Sequence, residues 1–204
     1  MRLQPSRTFY VVIRGPLGVG KSTIADRLSK EIGAHHVSID QILEDHDLWS
    51  SGRLSEFLKA NAVAAKQARR SLGRGVPVIF DGNFYWITQI DDLVGRLDHR
   101  HFIFSLNAPL AVCIERDRGR DHPYGPLAAR AVCAKSMRFR YGVDVDATRP
   151  IPVILRTIRS HFPQALPPSL DEQTAEEWHS RSDSPHRRPG SVPRKPFTDG
   201  HRGL

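Results

Sequence analysis

Two rhythms of apolar positions alternate along the chain. Short runs that are almost wholly apolar and rich in β-branched or aromatic residues, such as Phe9-Tyr10-Val11-Val12-Ile13, read as strands buried on both faces. Between them apolar residues recur three and four positions apart, as at Ile24, Ala25, Leu28 and Ile32, the stripe of an amphipathic helix. The pattern predicts strands near 9–14, 35–39, 76–81, 101–106 and 142–146, and helices over 21–32, 54–72, 86–97, 109–118, 127–140 and 151–161. Alternation of strand and helix builds parallel βαβ units. The expected fold class is therefore α/β, a doubly wound five-stranded sheet with ligands beyond the carboxyl ends of its strands. Ser55 reads as a helix N-cap, Gly73 and Gly75 as helix terminators, and Pro109 as a first-turn residue.

The rhythm stops after Phe162. Seven of the 15 prolines lie at 163, 167, 168, 185, 189, 193 and 196, among Ser, Arg and His. Such a segment buries too little apolar surface to offset the entropy of ordering it. One folded domain over 1–162 and a Pro-rich, disordered tail over 163–204, with a short helical piece around 171–178, are expected. The tail carries six Lys/Arg and six Asp/Glu, so the formal charge of +8 belongs to 1–162 and argues against a basic docking tail. A basic domain suits a nucleotide polyphosphate and can also attract RNA or DNA.

The two cysteines, Cys113 and Cys133, fall inside predicted helices without zinc or disulfide spacing, and read as buried thiols in a reducing compartment. No apolar run is long enough to span a bilayer and no signal-peptide core opens the chain. A cytoplasmic protein without membrane contact is expected.

The densest chemistry follows the first strand. Gly15-Pro16-Leu17-Gly18-Val19-Gly20-Lys21-Ser22 reads G-x-x-x-x-G-K-S, with a strand before it and a helical stripe after it. This is a phosphate-binding P-loop: its glycines let backbone N–H groups curl around an anion at the positive end of the next helix. Gly15, Gly18, Val19, Gly20, Lys21, Ser22 and Thr23 are the nucleotide-binding candidates. Lys21 would reach the β/γ-phosphates as a catalytic residue and Ser22 would ligate Mg²⁺, so ATP and Mg²⁺ are the implied cofactors. The bland alternative is a glycine-rich turn without a ligand.

Other strand ends become candidates by geometry. Asp40, closing the second strand, is a general base for an acceptor hydroxyl or a group orienting it; the alternative is a helix N-cap. Asp81 ends the third apolar run as a Walker-B acid does, placing it on Mg²⁺ or on substrate. Gly82 and Asn83 permit close approach and hydrogen bonding to a small ligand, and a purely structural turn is the alternative. Arg116 and Arg120, four residues apart, can present guanidinium charge to the phosphates, or simply end a solvated helix. Arg149, after the last strand, can stack on adenine or stay exposed.

Together these residues resemble the small P-loop kinases grouped with shikimate kinase, gluconate kinase, chloramphenicol phosphotransferase and polynucleotide kinase domains, a group of AAA-type ATP-binding proteins. The likeness covers about residues 9–162 and rests on GPLGVGKS at 15–22, Asp40, FDGN at 80–83, ERDRGR at 115–120 and TRP at 148–150. The resemblance implies a three-layer P-loop NTPase fold with strand order 2-3-1-4-5, ATP·Mg²⁺ as donor, a lid at 119–126, and Asp40 as the acceptor-activating residue. The chain departs from shikimate kinases, which carry paired acids on strand two and a glycine triplet after strand three. It also lacks the arginine that polynucleotide kinases place just after the equivalent of Asp40.

The function expected is transfer of the ATP γ-phosphate to a hydroxyl of a small metabolite or natural product. A polynucleotide 5′-OH or nucleotide kinase is the second reading, with nucleic acid possible but not favoured, and a non-catalytic ATP-binding regulatory or toxin-like module is the third. The motifs of GTPases, transporter ATPases and protein kinases are missing, and the chain is too short for a AAA+ lid domain with sensor arginines. Acceptor choice is expected to reside in 41–58 and around 83–86, where His46, Asp47, Trp49, Arg53, Phe84, Tyr85 and Trp86 are the polar or aromatic candidates, the aromatics doubling as pocket wall. No motif names the acceptor or the oligomeric state.

Overall fold

The computed structural model describes residues 8–49 and 52–162; the predicted tail over 163–204 lies outside them. In chain order the elements are β1 (Phe9–Arg14), α1 (Lys21–Ile32), β2 (His35–Ser38), α2 (Ile39–Asp45), α3 (Leu54–Leu72), β3 (Val78–Gly82), α4 (Ile87–Gly95), β4 (Arg100–Asn107), α5 (Leu110–Arg118), α6 (Pro126–Ser136), β5 (Val143–Asp146) and α7 (Ile151–Arg159). All five strands pair in parallel in the order β2-β3-β1-β4-β5, the order the resemblance implied.

Alternate residues of the central strands serve two separate cores. Tyr10, Val12, Val78 and Phe80 pack with Phe57, Ala64 and Ile90 from α3 and α4. Val11, Ile13, Ile79 and Phe104 pack with Ile24 and Leu28 of α1 and Ile154 and Ile158 of α7. Because both faces are covered, β1 and β3 are buried at every position, which is why their sequences show no polar alternation. At the sheet edge β5 buries only Val145.

The structure revises several expected boundaries. The second strand ends at Ser38, not at 39, and Ile39 opens α2, a seven-residue helix too short to show periodicity. Its N-cap is Ser38, whose hydroxyl accepts the Gln41 N–H at 3.4 Å, so the capping alternative for Asp40 passes to Ser38. Helix α3 starts at Leu54, with Arg53 at the N-cap; the Glu56 carboxylate accepts the Arg53 N–H at 3.2 Å, leaving Ser55 inside the first turn. Helix α6 ends at Ser136 rather than 140. Cys113 is buried, Cys133 is only half-buried, and both are free thiols. Among the described residues no helix is long and apolar enough to cross a membrane.

Arg14, at the end of β1, is a fully buried cation that sequence reading passed over. At 2% exposure it donates to Ser105 Oγ at 2.9 Å, to the Phe84 carbonyl at 3.4 Å and to the Ser136 carbonyl, and lies 4.3 Å above the Phe139 ring. Burial lowers its pKa to about 10, with Asp144 opposing, so it stays charged at neutral pH. It joins β1, β4, the end of α6 and the turn after β3 directly behind the P-loop.

Candidate functional site

The P-loop wraps from β1 into α1. Gly20 holds a φ of +100°, and α1 begins at the next residue, aiming its first N–H groups and positive dipole end into the loop. Gly18 has a second role: a Cβ there would stand 2.1 Å from the Cys113 carbonyl oxygen, so the residue lets α5 close onto the loop. Val19 is buried, and Ser22 and Thr23 are exposed at the helix start.

Lys21, only 7% exposed, lies between the P-loop and the turn after β3. Its ammonium donates to the Pro16 carbonyl and to Asn83 Oδ1, both at 3.0 Å. The Asn83 amide in turn donates to the Asp40 carboxylate at 3.3 Å. Lys21, Asn83 and Asp40 thus form one chain from the phosphate loop to the first turn of α2, where Asp40 lies two residues past the strand it was expected to close. Burial raises the Asp40 pKa to about 6; Lys21 opposes this and the Asp81 charge reinforces it. Burial also presses the Lys21 pKa below its ordinary value, with Asp40 and Asp81 opposing.

A second chain runs alongside. Parallel register pairs Ser38 with Asp81, and residues two apart on a strand share a face, so His36 and Asp81 meet on the α1 side of the sheet. Asp81 Oδ2 accepts from the Ser22 hydroxyl at 2.7 Å, and Oδ1 lies 2.8 Å from His36 Nε2. Burial favours a neutral Asp81, but the hydrogen bonds from His36 and Ser22 and the Lys21 charge outweigh it and hold the carboxyl below the usual range. A hydroxyl and an ionised carboxylate are hard oxygen donors that fit Mg²⁺, which binds one or two carboxylates plus substrate phosphates. Among the described residues no cluster of three metal-binding side chains exists. Gly82 is buried against Ile39, where a Cβ would stand 3.0 Å from the Ile39 Cβ.

The three arginine candidates separate. Arg116 donates to the Val19 carbonyl at 3.1 Å and the Ala147 carbonyl at 2.9 Å, tying the P-loop to the turn after β5. Arg120 lies 3.6 Å from Asp117 Oδ1 and is close enough to act electrostatically on both Lys21 and Asp40. Arg149 is exposed, in a turn shaped by Asp146, which accepts the Thr148 N–H at 2.9 Å. Asp117, which the ERDRGR stretch contains without a role of its own, is 1% exposed and accepts the Gly125 N–H at 2.8 Å, closing the segment between α5 and α6 into a loop.

A P-loop following the central strand of a 2-3-1-4-5 parallel sheet, with one carboxylate near the end of β3 and another in the first turn of α2 just past β2, defines a P-loop kinase fold. The chain belongs to the AAA domain family, whose model matches residues 11–142. The matched stretch stops before β5, and among the described residues no separate helical lid domain follows. A cytidylate kinase from Natronomonas pharaonis is 30% identical over 164 residues, covering 73% of this chain and 81% of that protein. Two solved structures share the fold: a sugar kinase from Janibacter sp. (TM-score 0.64, 18% identity, 75% of this chain and 93% of that one) and a gluconokinase from Sinorhizobium meliloti (TM-score 0.61, 17% identity, 88% and 99%). They are small P-loop kinases, the group the sequence resembles.

Proposed function

We propose that this protein transfers the γ-phosphate of ATP to an alcohol hydroxyl of a small molecule bound beside Asp40. The observation that carries the reading is the Lys21–Asn83–Asp40 chain: a buried ammonium at the phosphate loop and a carboxylate with a pKa of about 6 share one amide between donor and acceptor. In this reading the P-loop N–H groups and Lys21 hold the phosphates of ATP, and Ser22 and Asp81 hold Mg²⁺, which supplies charge neutralisation at the transferring phosphoryl group when bound. Asp40 Oδ accepts the acceptor's hydroxyl proton as the oxygen approaches phosphorus. Arg120 brings positive charge from the lid, while Arg116 fixes the P-loop against the turn that carries Arg149, beside which the nucleotide base lies. Residues 1–162 form the kinase domain, and truncation after Phe162 leaves catalysis in place.

A nucleotide acceptor is the second reading, supported by the 30% identity to a cytidylate kinase. The test is ADP release from ATP·Mg²⁺ by wild type and Asp40→Asn against separate pools of metabolite alcohols, nucleosides, nucleotides and 5′-OH oligonucleotides. Asp40-dependent release with one pool supports the kinase and assigns its acceptor class. ATP binding without release from any pool overturns it in favour of a regulatory module.

A further inference from the structure

We propose that the acceptor beside Asp40 is an uncharged alcohol carrying an aromatic ring, and that this cleft discriminates against acceptors bearing phosphate or carboxylate. The inference rests on the kinase reading of the same cleft.

Phe57, 1% exposed, is the hub of an aromatic wall. Trp49, Tyr85 and Trp86 meet it at ring separations of 5.8, 5.5 and 5.2 Å, all edge to face, and Tyr85 and Trp86 meet each other at 5.6 Å. Phe57 is sealed inward, whereas Tyr85 and Trp86 are half-buried and Trp49 is 40% exposed, so an anchored cluster offers ring surface outward. The wall stands at the acceptor end. Phe84, at a φ of +48°, turns the chain immediately after Asn83, whose amide touches Asp40. Burial and then the Asp40 charge raise the Tyr85 pKa, and Tyr124 of the lid adds to the effect. Rings gain by stacking or edge contact on such a wall, whereas a polyol needs a polar partner for each hydroxyl.

Charge points the same way. The described segments on this side, 39–49, 52–58 and 83–90, contain Asp40, Glu44, Asp45, Asp47 and Glu56 against a single Lys or Arg, Arg53. Glu44 lies one helical turn beyond Asp40 on α2 and shares its side of the helix. Lys21 is engaged with Asn83 and the P-loop, and Arg120 stands beside Asp117 on the lid. An anionic acceptor would bring further negative charge into this field with little to pair it.

Matched probes separate ring from charge: cytidine and cytidine 5′-monophosphate share a ring, gluconate is an anion without one, ribitol is neutral without one, and benzyl alcohol is a bare ring. The full chain with Trp178→Phe leaves Trp49 and Trp86 as its only tryptophans, so fluorescence reports the wall. With AMPPNP·Mg²⁺ present, at least one neutral ring probe should bind ~10-fold more tightly than cytidine 5′-monophosphate, gluconate or ribitol. Trp49→Ala should weaken that binding several-fold and leave AMPPNP affinity unchanged. Equal or tighter binding of either anion or of ribitol overturns the inference, and so does absence of binding by both ring probes at ~10 mM, since a ring-selective wall retains weak affinity for a fragment. ADP release decides the kinase reading separately. A ring probe that binds without Asp40-dependent release removes the kinase reading and keeps the ring preference; release driven best by an anion does the reverse.

Discussion

Asn83 joins Lys21 to Asp40, its Oδ1 accepting from the Lys21 ammonium at 3.0 Å while its amide nitrogen donates to the Asp40 carboxylate at 3.3 Å. One side chain thereby fixes the spacing between the group at the phosphates and the group at the acceptor. Asn83→Ala should lower kcat by ~10–100-fold while the KM for ATP stays within ~3-fold, because the P-loop contacts survive. Steady-state kinetics beside a thermal melt checks this; a fall in kcat matched by a collapse in Tm would assign Asn83 to folding instead.

Asp40 makes two pH predictions of opposite sign. Its pKa rises from 3.8 to about 6 on folding, chiefly through burial. A base must be ionised, so kcat/KM for the acceptor should climb through about pH 6 and level above it. Stability runs the other way: between about pH 4 and pH 6 the folded state holds a proton that the unfolded chain releases, so stability from this group falls as pH rises. Asp40→Asn should abolish the acidic limb of the rate profile and raise Tm above wild type at pH 7, with the difference vanishing below about pH 4. A Tm gain equal at all pH values would remove burial of the charge as its cause.

The P-loop pattern and the parallel sheet were legible because they depend on features local in sequence, an apolar run and a glycine pattern; Asp40, read as a strand end, lies in the first turn of α2. The roles of His36, Arg14 and Asp117 were not legible, because each acts through a partner that only sheet register or loop closure supplies. His36 meets Asp81 at 2.8 Å because β2 pairs with β3 in the register Ser38 to Asp81. Arg14 follows five buried apolar residues and reads as the strand's exit to solvent, yet its cross-strand neighbour is Ser105, whose hydroxyl accepts from it. Helix α2 escaped because seven residues hold too little of a 3.6-residue period to register.

Gly18 separates packing from phosphate binding within the P-loop. Its φ of +78° and the 2.1 Å approach of a Cβ to the Cys113 carbonyl mean that Gly18→Ala must displace α5 or the loop. A loss of ~3 kcal/mol in unfolding free energy is expected from strain and overlap together, read as a lower urea midpoint at unchanged slope. Ser22→Ala, which removes an exposed hydroxyl and its bond to Asp81, should leave the midpoint within ~1 kcal/mol while impairing turnover. Equal destabilisation by both variants would deny Gly18 a special packing role.

Asp117 sets how firmly the loop between α5 and α6 is held. Its Oδ2 takes the Gly125 N–H at 2.8 Å, and Oδ1, which has no hydrogen-bond partner, lies 3.6 Å from the Arg120 guanidinium. A buried carboxylate with one strong bond and one near ion pair restrains the loop while leaving Arg120 able to turn toward the cleft. Asp117→Ala should release the loop, and trypsin cleavage after Arg118 or Arg120 should accelerate by ~10-fold under native conditions. Asp117→Asn retains a carbonyl acceptor for Gly125 but loses the charge, so it should protect the loop nearly as well as wild type while altering the dependence of kcat on Arg120. Combining each variant with Arg120→Ala supplies the check: coupling in kcat for Asp117→Asn means the carboxylate positions Arg120, whereas additive losses confine Asp117 to closing the loop.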